Sequence, residues 1–200
     1  VSYGVLENEH CSGDPANRLG DKLTYAMLRE HNLDLLKEVK KVVTMCPHCA
    51  VNLKQEYGKY DEITYTVEHH SQVIGQLIEN GKLHMQMNTE GKVTYHDPCN
   101  LTRMLDVVEA PRLAIQSATD DFIELPESGK NTLCCGAGGG LWWKKETTGR
   151  THLVRAEQVV KSDADTVVTG CNFCYGMMNQ GLKPLTPDDR NPIQVKDIAD

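Results

Sequence analysis

The chain has no long apolar run: nothing in its 200 residues approaches the ~18 consecutive apolar residues of a membrane span. Its start, Val1-Ser2-Tyr3-Gly4-Val5, lacks the charged beginning and apolar core of a signal peptide. It also lacks an initiating methionine, so a processed chain or a piece of a longer protein is expected. Positive charge is short: 21 Lys and Arg against 28 Asp and Glu leave −7, the wrong balance for neutralising phosphates, which argues against nucleic acid as the main partner. No strand-linked G-x-G-x-x-G is present, because the glycines between 136 and 140 follow two cysteines at a different spacing. Neither flavin nor NAD(P) is therefore expected on this chain. What is left, 40% hydrophobic and 24% charged residues, is ordinary for a globular protein and reads as soluble and cytoplasmic. The unusual feature of the composition is eight cysteines, too few for a disulfide-stapled mini-protein and many for an intracellular chain.

The cysteines sit in a repeat. Lys41-Val42-Val43-Thr44-Met45-Cys46-Pro47-His48-Cys49 returns as Thr166-Val167-Val168-Thr169-Gly170-Cys171-Asn172-Phe173-Cys174, a shift of 125 residues. Cys11 returns as Cys135 at a shift of 124, which sets His10 opposite Cys134. A chance Cys-x-x-Cys pair would bring no matching upstream cysteine, so the chain is a tandem repeat. Residues 1–91 form the first unit, incomplete at its N-terminus, and 92–200 the second.

Strands alternate with helices in both units. In the second, Val93–His96 reads as a strand ending in an Asp97-Pro98 turn, and Leu105–Ser117 as a helix interrupted or restarted at Pro111. Phe122–Leu125 reads as a strand, residues 134–140 as a glycine loop and Thr151–Ser162 as a helix. Thr166–Thr169 is a buried strand, and Pro192–Val195 a further one. In the first unit Ser2–Leu6 is the expected strand, followed by helix across Asp14–Val39. Val42–Thr44 and Ile63–Val67 follow as strands and His70–Glu79 as a helix. The fold class is α/β, two similar repeats with parallel-type sheets.

The second unit carries Cys99, Cys134-Cys135 and Cys171-x-x-Cys174, five thiols from three strand ends or loops, where open α/β sheets place their ligands. Five exceeds the four thiols of a zinc ion or a cubane cluster. Buried structural cysteines explain neither the adjacent pair nor a Cys-x-x-Cys after a strand, twice. A zinc site, with the thiols serving stability, is the stronger alternative. Thiol–disulfide exchange at Cys46-Pro47-His48-Cys49 is another, although a redox motif alone leaves its second copy unexplained.

Cys99…Cys134-Cys135-Gly136…Cys171-x-x-Cys174 resembles the cysteine-rich CCG domain of heterodisulfide reductase catalytic subunits and related iron–sulfur oxidoreductases. His96-Asp97-Pro98-Cys99 and Cys11-Ser12-Gly13-Asp14-Pro15 fit as well, and the run from Gly13 to Gly20 looks most like the C-terminal part of larger members that link electron-transfer flavoprotein to quinone. The resemblance implies an electron-transfer module of an oxidoreductase, with a non-cubane [4Fe-4S] cluster on Cys99, Cys134, Cys135, Cys171 and Cys174. It implies partners too: an upstream ferredoxin-like iron–sulfur domain or subunit, electron-transfer flavoprotein, and a quinone-linked membrane subunit that would bring the chain to the inner face of a membrane. If substrate chemistry occurs at the cluster, the resemblance implies reductive disulfide cleavage. In the first unit Cys11, Cys46, Cys49 and His10 make a secondary candidate for zinc or a second cluster, or a site that is empty or disordered around Cys11.

Around the main site, Gly136, Gly138 and Gly139 are expected to turn backbone N–H groups toward the metal group, against the simpler reading of a flexible turn. His96 and Asp97 either exchange protons at a substrate thiol or shape the turn. Trp142-Trp143 is either core cover or a docking surface. His69 and His70 read as solvated or helix-capping, and Lys37, Lys40 and Lys41 as a charged helix end.

Overall fold

The computed structural model describes residues 1–85, 91–144, 149–186 and 191–200. Two parallel sheets form. The first pairs β1 (Lys41–Thr44) with β2 (Thr66–His69), Thr44 opposite His69. The second holds β3 (Val93–His96), β4 (Phe122–Ile123), β5 (Thr166–Thr169) and β6 (Gln194–Asp197) in the spatial order β4-β3-β5-β6. The chain runs outward on one side of β3 and then returns to start β5 on the other. The crevice beyond the carboxyl ends of β3 and β5 is thus a topological switch point, the usual ligand position in an open α/β sheet.

The two central strands of that sheet are buried at all four positions. Their sequences, Val-Thr-Tyr-His and Thr-Val-Val-Thr, lack the polar alternation of a half-exposed strand because helices cover both faces. On one face α6 (Thr151–Lys161) and α7 (Asn172–Leu182) bury Ala156, Val159, Met177, Met178 and Leu182 against Val167. On the other, α5 (Glu109–Gln116) buries Ala114 and Ile115 with Val93, Tyr95 and Val168. Ile74 and Ile78 complete that face from α4 (His70–Glu79), which belongs to the first repeat. The backbone of Gly75 runs so close to Ala110 that an added Cβ would lie 3.3 Å from the alanine methyl.

The first repeat builds its own core from Tyr25, Leu36, Ala50, Leu53, Tyr57, Tyr65 and Val67. Its helices are α1 (Asp14–Leu19), α2 (Lys22–Leu35) and α3 (Pro47–Val51), the last continued by a π-helical turn over Asn52–Glu56.

Several sequence expectations need correction. Ser2–Leu6 is not a strand and is largely exposed. Its counterpart β4 survives by pairing with β3, and the first repeat offers no equivalent of β3 among the described residues. The expected strands Ile63–Val67, Phe122–Leu125 and Pro192–Val195 are displaced or shortened to β2, β4 and β6. The helix expected from Leu105 starts at Glu109, so Pro111 falls in its first turn, where a missing N–H costs nothing. His69 and His70 are not solvated: both are buried, and His69 is the N-cap of α4, in a capping box with Gln72.

Candidate metal centre

Three chain segments bring the second repeat's cysteines together. Cys99 lies just past the carboxyl end of β3, behind a Pro98 that stops the strand. Cys171 and Cys174 flank the start of α7 after β5, with Cys171 extended as N-cap. Cys134 and Cys135 arrive on the glycine loop. The Cys174 and Cys135 sulfurs lie 3.3 Å apart, and those of Cys99 and Cys134 3.9 Å apart. Cys135, Cys171 and Cys174 are buried, while Cys99 and Cys134 are partly exposed.

As thiols, the five share protons unequally. Cys134 is held far below the ordinary thiol range, first by hydrogen bonds from Cys135 and Cys99 and also by the N–H of Gly136. Cys171 is lowered by Cys174 and by His48. The donors Cys99, Cys135 and Cys174 are pushed up. A constellation that already carries thiolate character suits soft cations, which bind thiolate rather than thiol.

The loop's glycines divide. Gly136, at φ +88°, turns its N–H onto the Cys134 sulfur at 3.3 Å. Among the described residues, no N–H of Gly138 or Gly139 reaches a sulfur; the Gly138 carbonyl accepts the Leu141 N–H in a turn. His96 and Asp97 are fully buried. Both Asp97 carboxylate oxygens pair with Arg112 at 2.9 Å, and Gly129 N–H adds a third bond at 2.8 Å. Asp97 therefore shapes the turn. His96 receives the Arg155 Nε–H on Nδ1 at 2.9 Å, and its Nε2 is buried without a partner among the described residues. One of its ring nitrogens and the sulfurs of Cys135 and Cys174 all lie within 4.8 Å of one another. A buried polar atom that no protein group satisfies, on a ring beside converging sulfurs, fits a bound metal group. The surrounding donor set, five thiols, fits iron and sulfide or zinc.

The first repeat copies part of this arrangement in another register than the cysteine spacing suggests. Gly13, at φ +85°, turns its N–H to the Cys11 sulfur at 3.5 Å, as Gly136 does to Cys134. The Ser12 hydroxyl then donates to the Cys49 sulfur at 3.3 Å, where Cys135 meets Cys174 in the second repeat. Cys11 therefore matches Cys134 and Ser12 matches Cys135; Cys-Ser-Gly stands for Cys-Cys-Gly. His10 lies outside this match, its ring edge-on to His31 at 3.9 Å. The glycine that follows each loop carries the correct register in the sequence; cysteine spacing alone does not.

Two histidines that sequence reasoning does not place at the centre join the repeats there. His48 Nδ1 stands 3.9 Å from Cys46 Sγ and 3.9 Å from Cys171 Sγ. His69 Nε2 reaches the Gly170 carbonyl at 2.9 Å and the Met45 carbonyl at 3.3 Å, the residues before Cys171 and Cys46. Its Cε1 would lie 3.0 Å from any Cβ at position 170. Burial holds the His69 imidazole down to about 4, so it stays neutral near pH 7. Trp142 and Trp143 both stand edge-on to Phe173, Trp142 against the core and Trp143 exposed.

Cysteine thiols gathered at the switch point of a parallel α/β sheet define a thiolate-ligating, metal-binding module. The chain belongs to the cysteine-rich CCG domain family, which matches residues 1–54 and 93–179. It is 35% identical over 205 residues to the probable iron-sulfur-binding oxidoreductase FadF of Bacillus subtilis and 33% identical over 211 residues to the EtfAB:quinone oxidoreductase of Syntrophomonas wolfei. To one subunit of the dihydromethanophenazine:CoB--CoM heterodisulfide reductase of Methanosarcina barkeri it is 30% identical over 215 residues. Each match covers 100% of this chain but only 29%, 29% and 50% of the relative. Iron–sulfur relatives and a cysteine-rich domain together support an iron–sulfur cluster as the group bound. Among the described residues no helix is long and apolar enough to cross a membrane.

Proposed function

We propose that this chain is the electron-transfer module of a heterodisulfide-reductase-like oxidoreductase and that Cys99, Cys134, Cys135, Cys171 and Cys174 hold a [4Fe-4S] cluster of non-cubane type. The observation that carries the reading is the meeting of the Cys99–Cys134 and Cys135–Cys174 pairs at one switch point. When bound, such a cluster supplies one-electron redox chemistry. The chain's own residues bind and shape. Gly136 presents its N–H to a ligand sulfur, Pro98 and the Asp97–Arg112 pair fix the segment carrying Cys99, and β5 with α7 fixes Cys171 and Cys174. Units 1–91 and 92–200 act as a degenerate and a complete repeat, and with Ser12 in a thiol's place the first has three of the five thiols here, Cys11, Cys46 and Cys49.

Partners follow from the relatives' names. One is named for electron-transfer flavoprotein and quinone and another is a heterodisulfide reductase subunit, which supports a flavoprotein or iron–sulfur donor and a quinone-linked or disulfide-reducing acceptor in the whole protein. The test is iron, acid-labile sulfide and zinc analysis of protein purified without oxygen. Iron and sulfide with broad visible absorption fit; a colourless protein carrying zinc would establish the non-redox alternative.

A further inference from the structure

His96 offers two chemistries to a metal group beside Cys135 and Cys174. A bare Nε2 lone pair would make it a ligand, whereas an Nε2–H would make it a hydrogen-bond donor. The residue behind it decides. Arg155 Nε carries a hydrogen and has no lone pair, so at 2.9 Å from Nδ1 it can only donate. Nδ1 must then be the unprotonated nitrogen, and in a neutral ring the single proton lies on Nε2. Arg155 has little freedom to give way. It is fully buried, and its other nitrogens are engaged by the Glu127 carbonyl at 2.9 Å, Gln158 Oε1 at 2.6 Å and Thr132 Oγ1 at 3.4 Å. Thr132 is itself tied to the Asp97 carbonyl at 3.1 Å, which closes the network back onto the segment carrying His96 and Cys99.

We propose that His96 is a fixed-tautomer hydrogen-bond donor to the group held by Cys135 and Cys174, that it is not a ligand of that group, and that Arg155 is the positioning residue that fixes the tautomer. The inference rests on the cluster reading above and goes beyond it. Reduction adds negative charge to a thiolate-bound cluster. A donor beside its sulfurs stabilises the reduced form more than the oxidised form and raises the potential. Among the described residues no carboxylate is in Arg155's hydrogen-bond set; burying it so is expensive, and holding an imidazole proton toward a charged cluster gives that burial a purpose.

The experiment uses the whole protein, purified without oxygen and labelled with 15N-histidine, read by pulsed electron paramagnetic resonance and redox titration. A weakly coupled histidine nitrogen with an exchangeable proton is expected, together with a midpoint potential that moves negative in His96→Leu at unchanged iron content. His96→Gln keeps an N–H and offers Arg155 a carbonyl, so it should restore the potential toward wild type. It also serves as the test if the leucine variant does not fold. Arg155→Met frees Nδ1 and should change the nitrogen coupling although Arg155 touches no sulfur. A strongly coupled, directly coordinated nitrogen in the wild type, or potentials identical in wild type and His96→Leu, would overturn the donor assignment. Absence of iron altogether would instead sink the cluster reading beneath it.

Discussion

The two halves of the chain each place a Cys-x-x-Cys after a strand and differ in what surrounds their cysteines. In the second, β5 is flanked by β3 and β6, buried at every position, and followed by Cys171 and Cys174. In the first, the matching β1 pairs only with β2 among the described residues, Val43 is 49% exposed, and Cys11 is exposed. The second repeat closes its loop with thiol on thiol, Cys135 to Cys174, and the first with hydroxyl on thiol, Ser12 to Cys49. A converged thiol site therefore needs two neighbouring strand ends as well as a Cys-x-x-Cys. The difference also shows why the first repeat is not idle. His48 and His69 come from it and press on Cys171 and Gly170, so it forms one wall of the second repeat's centre.

The sharpest way to break the comparison is to make the second repeat resemble the first. Cys135→Ser turns Cys-Cys-Gly into Cys-Ser-Gly, and most of the iron should be lost because the site's binding energy depends on the folded set of thiolates, while far-ultraviolet circular dichroism stays largely unchanged because the sheet and its helices pack on apolar side chains. Full iron retention would reject the five-thiol assignment. The Asp97–Arg112 pair is the second contrast. Arg112→Met leaves Asp97 at 0% exposure without its ion-pair partner, and chemical denaturation should show a loss of about 3–5 kcal/mol. A loss below about 1 kcal/mol would mean that the pair does not hold the Cys99 segment.

The junction gives a pH test. The His69 pKa falls from 6.5 unfolded to about 4 folded, chiefly through burial, so folding favours the neutral ring. Its contribution is complete above pH 6.5 and is lost as pH drops from there toward 4, about 3 kcal/mol in all. Urea midpoints measured across that window should fall in the wild type and fall less in His69→Gln; parallel curves would contradict the junction role. The smallest effect belongs to His10. Its ring meets the His31 edge near the surface, away from the converged sulfurs, so His10→Ala should leave metal content unchanged and stability within about 0.5 kcal/mol.

Much of the molecule is legible in its sequence. The buried strand before Cys171, the helix at Thr151 and the α/β class follow from periodicity and residue type, which are local signals. The register of the first repeat's loop comes out one residue off, because cysteine spacing matches Cys11 to Cys135 while the geometry follows Gly13 and Gly136. His48, His69 and Arg155 escape a sequence reading because their partners lie 123, 101 and 59 residues away, in contacts that only packing creates. One signal for Arg155 is present. It occupies the buried stripe 152, 155, 156 and 159 of α6, where an arginine must have partners.

The assignment of the cluster to the second repeat is tested most directly by iron and sulfide content and the paramagnetic resonance spectrum of a Cys46→Ser, Cys49→Ser double variant, measured beside the wild type. Removing both first-repeat thiols should leave iron per chain and the shape of the main signal as they are, apart from a modest shift through the loss of sulfur near His48. Disappearance of the main iron signal would place the working cluster in the first repeat and contradict the account.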